Sequence, residues 1–238
     1  MTTQTSRADD LYTRVRSCIL CPLAATRTNA VPGEGPLSAE VLFIGEAPGM
    51  NEDKQGRPFV GQAGQFLEEL LAAAGLKRQE VYICNVLKCR PPANRDPAPD
   101  EILACRDYLD EQIAIVDPLV VVTLGRFSMA RWFPGQTISR IHGTVKEADG
   151  RFVVPMFHPA AALHQQNLRS TILNDFRVVP AVLERARRLR AREAQQDRSA
   201  AAPFFSAGAE QGGTGGSVTS ITIEQTIEQT IEQKRLFD

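Results

Sequence analysis

The chain has 238 residues, 43% hydrophobic and 23% charged, with a formal net charge of −1. No run of about 18 apolar residues occurs, which excludes a membrane-spanning helix on hydropathy grounds. The charge is uneven, with residues 1–200 at +2 and residues 201–238 at −3; this is too mild to announce nucleic acid, so any phosphate binding falls to local basic clusters.

The opening stretch MTTQTSRADDLYTRV lacks the apolar core of a secretion signal, so a cytoplasmic protein is expected. Residues 7–17 are predicted as a short helix leading into CILC. AEVLFIGEAPG reads as a strand, buried over Val41 to Ile44, that runs into a glycine turn. GQAGQFLEELLAAAG is predicted helical, with apolar spacing at Phe66, Leu67, Leu70 and Leu71 and a stop at Gly75. EVYICNVLKC is a second strand. RPPANRDPAPDE is irregular because four prolines interrupt it, and Asp100 is placed to cap a helix that begins at Glu101 and passes through Cys105.

DPLVVVTLG is a third strand, followed by helical RFSMARWF. RFVVPMFHPAAAL is a fourth, ending in a His-Pro turn, and an Arg-rich helix is predicted over residues 168–195. Strands that are apolar throughout and alternate with helices predict an α/β protein with a parallel sheet covered on both faces. In such sheets ligands bind beyond the C-terminal strand ends, here GEAPG, CNVLKC, TLGR and FHPA. The predicted domain spans residues 1–197. Residues 198–238 read as a flexible linker and tail, with TIEQ at 222–225, 226–229 and 230–233.

Five cysteines in a chain of this kind point away from disulfides. Cys18 and Cys21 form C-x2-C, Cys89 and Cys105 enclose 15 residues, and 67 residues separate the pairs. Four thiolates brought together make a metal site, and sulfur ligation suits either zinc or an iron–sulfur cluster. Spacing does not choose between the two. Cys84, within an apolar strand, reads as an inert buried thiol.

GEAPG, then GRPFVGQAG, then NVLKCRPPANRDP, then HPA after the last strand, together with the four-cysteine spacing, resemble the type 4 (iron–sulfur) uracil-DNA glycosylases. The resemblance covers roughly residues 10–190. It implies a three-layer αβα sandwich around a four-stranded parallel sheet, and a structural [4Fe–4S] cluster held by Cys18, Cys21, Cys89 and Cys105. It also implies a monofunctional, monomeric hydrolase that flips uracil out of DNA and leaves free uracil and an abasic site, with no lyase step.

The residue types suit that chemistry. A base must leave the stack before its glycosidic bond can be reached. Phe59 is the candidate aromatic wall, against the plainer reading of a core phenylalanine. Asn85 can present both a donor and an acceptor to uracil O4 and N3–H, against the alternative of a turn cap. His158 would reach uracil O2, where charge develops as the bond breaks, while His142 and His164 are expected to face solvent or a loop. Gly45, Glu46 and Ala47 would border the base. Type 1 relatives carry an aspartate at the place of Ala47, so Glu46 becomes the candidate to orient water.

Arg90 and Arg95 are candidate DNA contacts, and Leu163 a candidate wedge for the gap left by the flipped nucleotide. ERARRLRARE reads as a solvated face more readily than as a DNA contact. In the tail, Gln233, Leu236 and Phe237 of QKRLF look like the peptide type that docks on the bacterial sliding clamp. Two other functions stay open: a non-catalytic or covalent uracil-DNA binder of the same superfamily, and an electron-transfer or zinc module. KCRPPANRDPAPDE lacks the inserted basic, His-containing loop expected of the covalent binder.

Overall fold

A computed structural model describes residues 3–200 of the chain. The TIEQ repeats and the QKRLF segment lie outside the described residues.

Five strands form one sheet: β1 Val41–Gly45, β2 Tyr82–Asn85, β3 Val120–Leu124, β4 Lys146–Ala148 and β5 Arg151–Met156. Their spatial order is β2-β1-β3-β5-β4. The three pairings among the four strands expected to be parallel are so, with Gly45 opposite Asn85 and Leu124 opposite Met156 at the C-terminal edge. The fifth strand corrects the expected count. β4 is antiparallel to β5, and Asp149 and Gly150 join them with φ of 53° and 72°. Two left-handed residues in an Asp-Gly pair are the signature of a tight hairpin. Lys146 and Glu147 are exposed, so this edge strand has no apolar run to betray it.

The helices are α1 Thr3–Ser17, α2 Met50–Gln55, α3 Gln62–Ala73, α4 Pro99–Val116, α5 Arg126–Met129, α6 Ile138–Ile141, α7 Ala161–His164, α8 Leu168–Phe176 and α9 Val178–Ala200. Alternate residues of each inner strand face opposite layers. Phe43, Val122 and Val154 pack with Phe66, Leu70, Phe176 and Val179 of α3, α8 and α9. Leu42, Ile44, Val121 and Val153 pack with Leu109, Ile113 and Val116 of α4. Each such side chain contributes about 1.5–3 kcal/mol by burial. A third cluster joins Ala8, Leu11 and Val15 of α1 to Tyr108 and Ile115 of α4, and the four paired cysteines lie in it. The three-layer architecture is therefore the one expected.

The expected single helix over 168–195 is two. Pro180 lacks an N–H and would clash with the carbonyl of Phe176 in a continuous helix, and the chain breaks between Phe176 and Val178. The start of α4 also differs. Ala98 is the N-cap, and Glu101 rather than Asp100 reaches back, its carboxylate accepting the Ala98 N–H at 2.8 Å. Among the described residues no helix is long and apolar enough to cross a membrane.

Candidate active site

The loops after β1, β2 and β5 converge on a cavity of about 810 Å³ whose walls include Glu46, Ala47, Phe59, Asn85 and His158. Parallel pairing of Gly45 with Asn85 places the GEAPG turn beside the amide, and Val86 and Leu87 donate backbone N–H groups to Gly45 and Glu46 at 3.0 and 2.9 Å. Gly45 is required by what sits over it. A Cβ there would lie 2.3 Å from Asn85 Oδ1 and 2.6 Å from the Phe59 ring. The amide and the aromatic ring thus meet across a bare backbone.

Asn85 is 2% exposed, and its Oδ1 has no hydrogen-bond partner in the protein. An unpaired buried carbonyl oxygen costs about 1–3 kcal/mol. The amide lines the cavity, so a ligand N–H there would satisfy it.

Phe59 is buried and holds a φ of 50°, a region costly for a bulky residue. Three contacts enforce it. Glu52 Oε1 accepts the Val60 and Gly61 N–H groups, both at 2.8 Å. Arg78 donates to the Pro58 and Phe59 carbonyls at 2.5 and 3.2 Å. Gly64, in the first turn of α3, lets that carbonyl come so close that a Cβ would lie 2.0 Å from the Phe59 oxygen. The Phe59 and His158 rings sit side by side, centroids 5.7 Å apart, and form a continuous wall.

His158 follows β5 and is backed by Gly125, whose φ is 93°. Its Nδ1 accepts the Ala160 N–H at 3.1 Å. Burial lowers its pKa to about 4, with Glu52 opposing more weakly. The ring is therefore neutral at physiological pH. With Nδ1 occupied as an acceptor, the proton resides on Nε2, which becomes a donor.

Glu46, the second residue of the GEAPG turn, also lines the cavity. Burial, and secondarily the nearby Asp96 carboxylate, raises its pKa, while Arg126 acts the other way. Arg126 is paired with Asp96.

Other predicted residues take less direct places. Arg95 lines the cavity but engages Glu101 through both ends of its guanidinium, at 2.9 and 2.6 Å. Arg90 donates to Asn94 at 2.8 Å. Leu163 is 41% exposed on α7, beside the exposed His164 that edges the cavity. His142, expected to face solvent or a loop, is half-buried, 2.7 Å from Asp175 and packed on Phe157. Cys84 is buried, as expected. Glu52, Arg78 and Gly64 were not anticipated; their roles depend on contacts across the fold, and only the crowded NEDK before GRPFVG hinted at one.

The cysteines Cys18, Cys21, Cys89 and Cys105 pack in one cluster as free thiols. Arg27 Nη1 donates to Cys89 Sγ at 3.0 Å, and the Leu20 N–H to Cys18 Sγ at 3.5 Å. Burial pushes the Cys105 thiol up to about 11 and raises Cys89, where Arg27 opposes. Among the described residues no three His, Cys, Asp or Glu side chains converge as ligands of a single metal ion.

These features define a doubly covered, mostly parallel α/β protein with a cavity at the strand ends walled by an aromatic ring, an unsatisfied amide and a neutral imidazole. A profile of the uracil DNA glycosylase superfamily matches residues 32–177, and the chain belongs to that superfamily. The chain is 47% identical over 180 residues to a type-4 uracil-DNA glycosylase of Archaeoglobus fulgidus, covering 72% of this chain and 90% of the relative. It is 49% identical over 176 residues to one of Sulfurisphaera tokodaii, covering 69% and 80%. It is 46% identical over 167 residues to one of Thermotoga maritima, covering 68% and 87%.

Proposed function

We propose that the protein is a uracil-DNA glycosylase of type 4, a hydrolase that removes uracil from DNA. The observation that carries this reading is the buried, unpaired Oδ1 of Asn85 in the cavity that Phe59 and His158 also line. Uracil N3–H donates to that oxygen, and the Asn85 amide nitrogen donates to O4. Cytosine presents an acceptor at N3 and a donor at N4, so both contacts would be mispaired. Mispaired buried polar groups give large discrimination. Phe59 stacks on the base face, a contact worth about 1–3 kcal/mol.

As the N1–C1′ bond breaks, its electron pair passes to the uracil ring and charge grows on O2. His158 Nε2–H donates to that oxygen without surrendering its proton. Water adds through its oxygen to C1′. Its proton goes to a carboxylate, for which Glu46 of the GEAPG turn, at the cavity wall, is the candidate, and the departed uracil anion takes up a proton from solvent. The products are free uracil and an abasic site. The Ala47 position supplies no carboxylate, so this role cannot fall there.

Cys18, Cys21, Cys89 and Cys105 would hold a [4Fe–4S] cluster. The four cysteines pack in one cluster and two of their sulfurs accept N–H donors, as sulfur ligands of a bound centre would. The cluster would order the loops that carry it, and the bond cleavage needs only the cavity residues. Free thiols also suit a cytoplasmic setting. Leu163 at the rim would fill the vacated stack, and Arg90 and Arg95 would approach phosphates by exchanging internal partners. The protein would act as a monomer, with residues 198–238 as a tether and Gln233, Leu236 and Phe237 as a clamp ligand. That part is tested by co-sedimentation of the full chain with a bacterial sliding clamp, lost in a Leu236→Ala/Phe237→Ala variant.

The enzymatic reading is tested with an oligonucleotide carrying one U:G pair. Alkali-labile sites should form without strand scission in the absence of alkali. A gel-stable protein–DNA adduct would instead identify the covalent binder, and an unchanged oligonucleotide would sink the proposal.

A further inference from the structure

Lys88 is the one lysine in the buried polar set of the described residues, 1% exposed, and it lies between the two functional regions of the molecule. Its chain neighbour is Cys89. Its Nζ donates to the Asn85 carbonyl at 2.6 Å and to Gln112 Oε1 at 2.5 Å. Gln112 is in turn anchored through Nε2 to the Pro32 carbonyl and the Tyr82 hydroxyl. The Lys88 carbonyl accepts the Val31 N–H at 2.7 Å.

This is a costly arrangement for a residue with only a packing role. A buried amine surrenders its hydration, and both acceptors here are neutral. A leucine or methionine would fill the same volume without that penalty. What the amine supplies is a fixed hold on the backbone of the residue whose side chain carries the unpaired oxygen. Three residues separate that hold from the second cysteine pair.

We propose that Lys88 is a positioning residue that ties the cysteine centre to the base-reading amide of Asn85. The proposal rests on the reading of the cavity as a uracil pocket. The amine pins the β2 end from inside the protein while the peptide on its C-terminal side is pinned by Cys89. The orientation of the Asn85 amide is thereby set by the cysteine centre.

The test uses the full-length protein purified with its cluster, and compares wild type, Lys88→Met, Asn85→Ala and the double variant. Single-turnover uracil release from a U:G duplex should fall at least tenfold in Lys88→Met, while the duplex concentration for half-maximal rate moves less than about threefold. In the Asn85→Ala background, Lys88→Met should change the rate less than about twofold, since residues that act through one another are non-additive. The visible charge-transfer band of Lys88→Met should bleach at least threefold faster under air. Gln112→Leu, which leaves Lys88 in place but removes one of its anchors, should give a smaller loss in the same direction; it decides the matter if Lys88→Met does not fold. Full activity in Lys88→Met, a multiplicative loss in the double variant, or an unaltered bleaching rate would overturn the inference. A wild type that releases no uracil would instead overturn the pocket reading itself.

Discussion

Asn85, Phe59 and His158 interlock so closely that single atoms decide the outcome. Gly45 shows this most sharply, because a methyl group there would collide with both the Asn85 oxygen and the Phe59 ring. Gly45→Ala is therefore expected to lower single-turnover uracil release at least a hundredfold. Its far-ultraviolet circular dichroism should stay native, since Gly45 is the last residue of β1. His158 carries a second prediction. Its native pKa of about 4 lies below the ordinary 6.5, so the unfolded chain binds more protons between those values. Stability is unaffected by this ring above pH 6.5 and is lost as pH falls from 6.5 toward 4. Chemical denaturation across that range should show the decline, and His158→Gln should flatten it. The rate profile should likewise show no step near 6.5, because the imidazole is already neutral there. Its acid limb should follow carboxylate titration, with Glu46 raised above the ordinary range by burial.

At the level of elements, the same close approach reverses a general rule. Alanine is about 0.8–1.0 kcal/mol better than glycine inside a helix. Gly64→Ala in α3 should nonetheless destabilise the protein, because its Cβ would lie 2.0 Å from the Phe59 carbonyl oxygen. Overpacking of this kind costs about 1–3 kcal/mol, and calorimetry should register it at about 2–4 °C per kcal/mol for a domain of this size. A higher melting temperature would contradict the strained placement of Phe59. The four parallel strands were legible because each is built on an apolar run, and their ends located GEAPG, Asn85 and His158. β4 was not, since its residues are polar and exposed; the Asp149-Gly150 pair was the signal available. The break between α8 and α9 was also readable from Pro180, but a continuous charge pattern masked it. The left-handed φ of Phe59 had no sequence signature, as it is imposed by Glu52, Arg78 and Gly64 from separate elements.

Across the whole molecule, α1 and α4 bring the cysteine pairs together with Leu87, two residues beyond the β2 end at Asn85. C-x2-C with a distant second pair pointed to a metal centre, and spacing alone did not choose between zinc and iron–sulfur; the packing of the four cysteines and the N–H donors on Cys89 and Cys18 are tertiary properties. Cys105→Ser should remove the visible absorption and lower the melting temperature by several degrees, since a bound group stabilises only the folded state. The central claim is that one cavity reads uracil through Asn85 and stabilises its departure through His158. It is tested most directly by single-turnover release of free uracil from a U-containing oligonucleotide by wild type, Asn85→Ala and His158→Ala. Release by wild type, with each variant at least a hundredfold slower and still able to bind the DNA, is predicted. Equal rates in all three proteins, or none in the wild type, would contradict it.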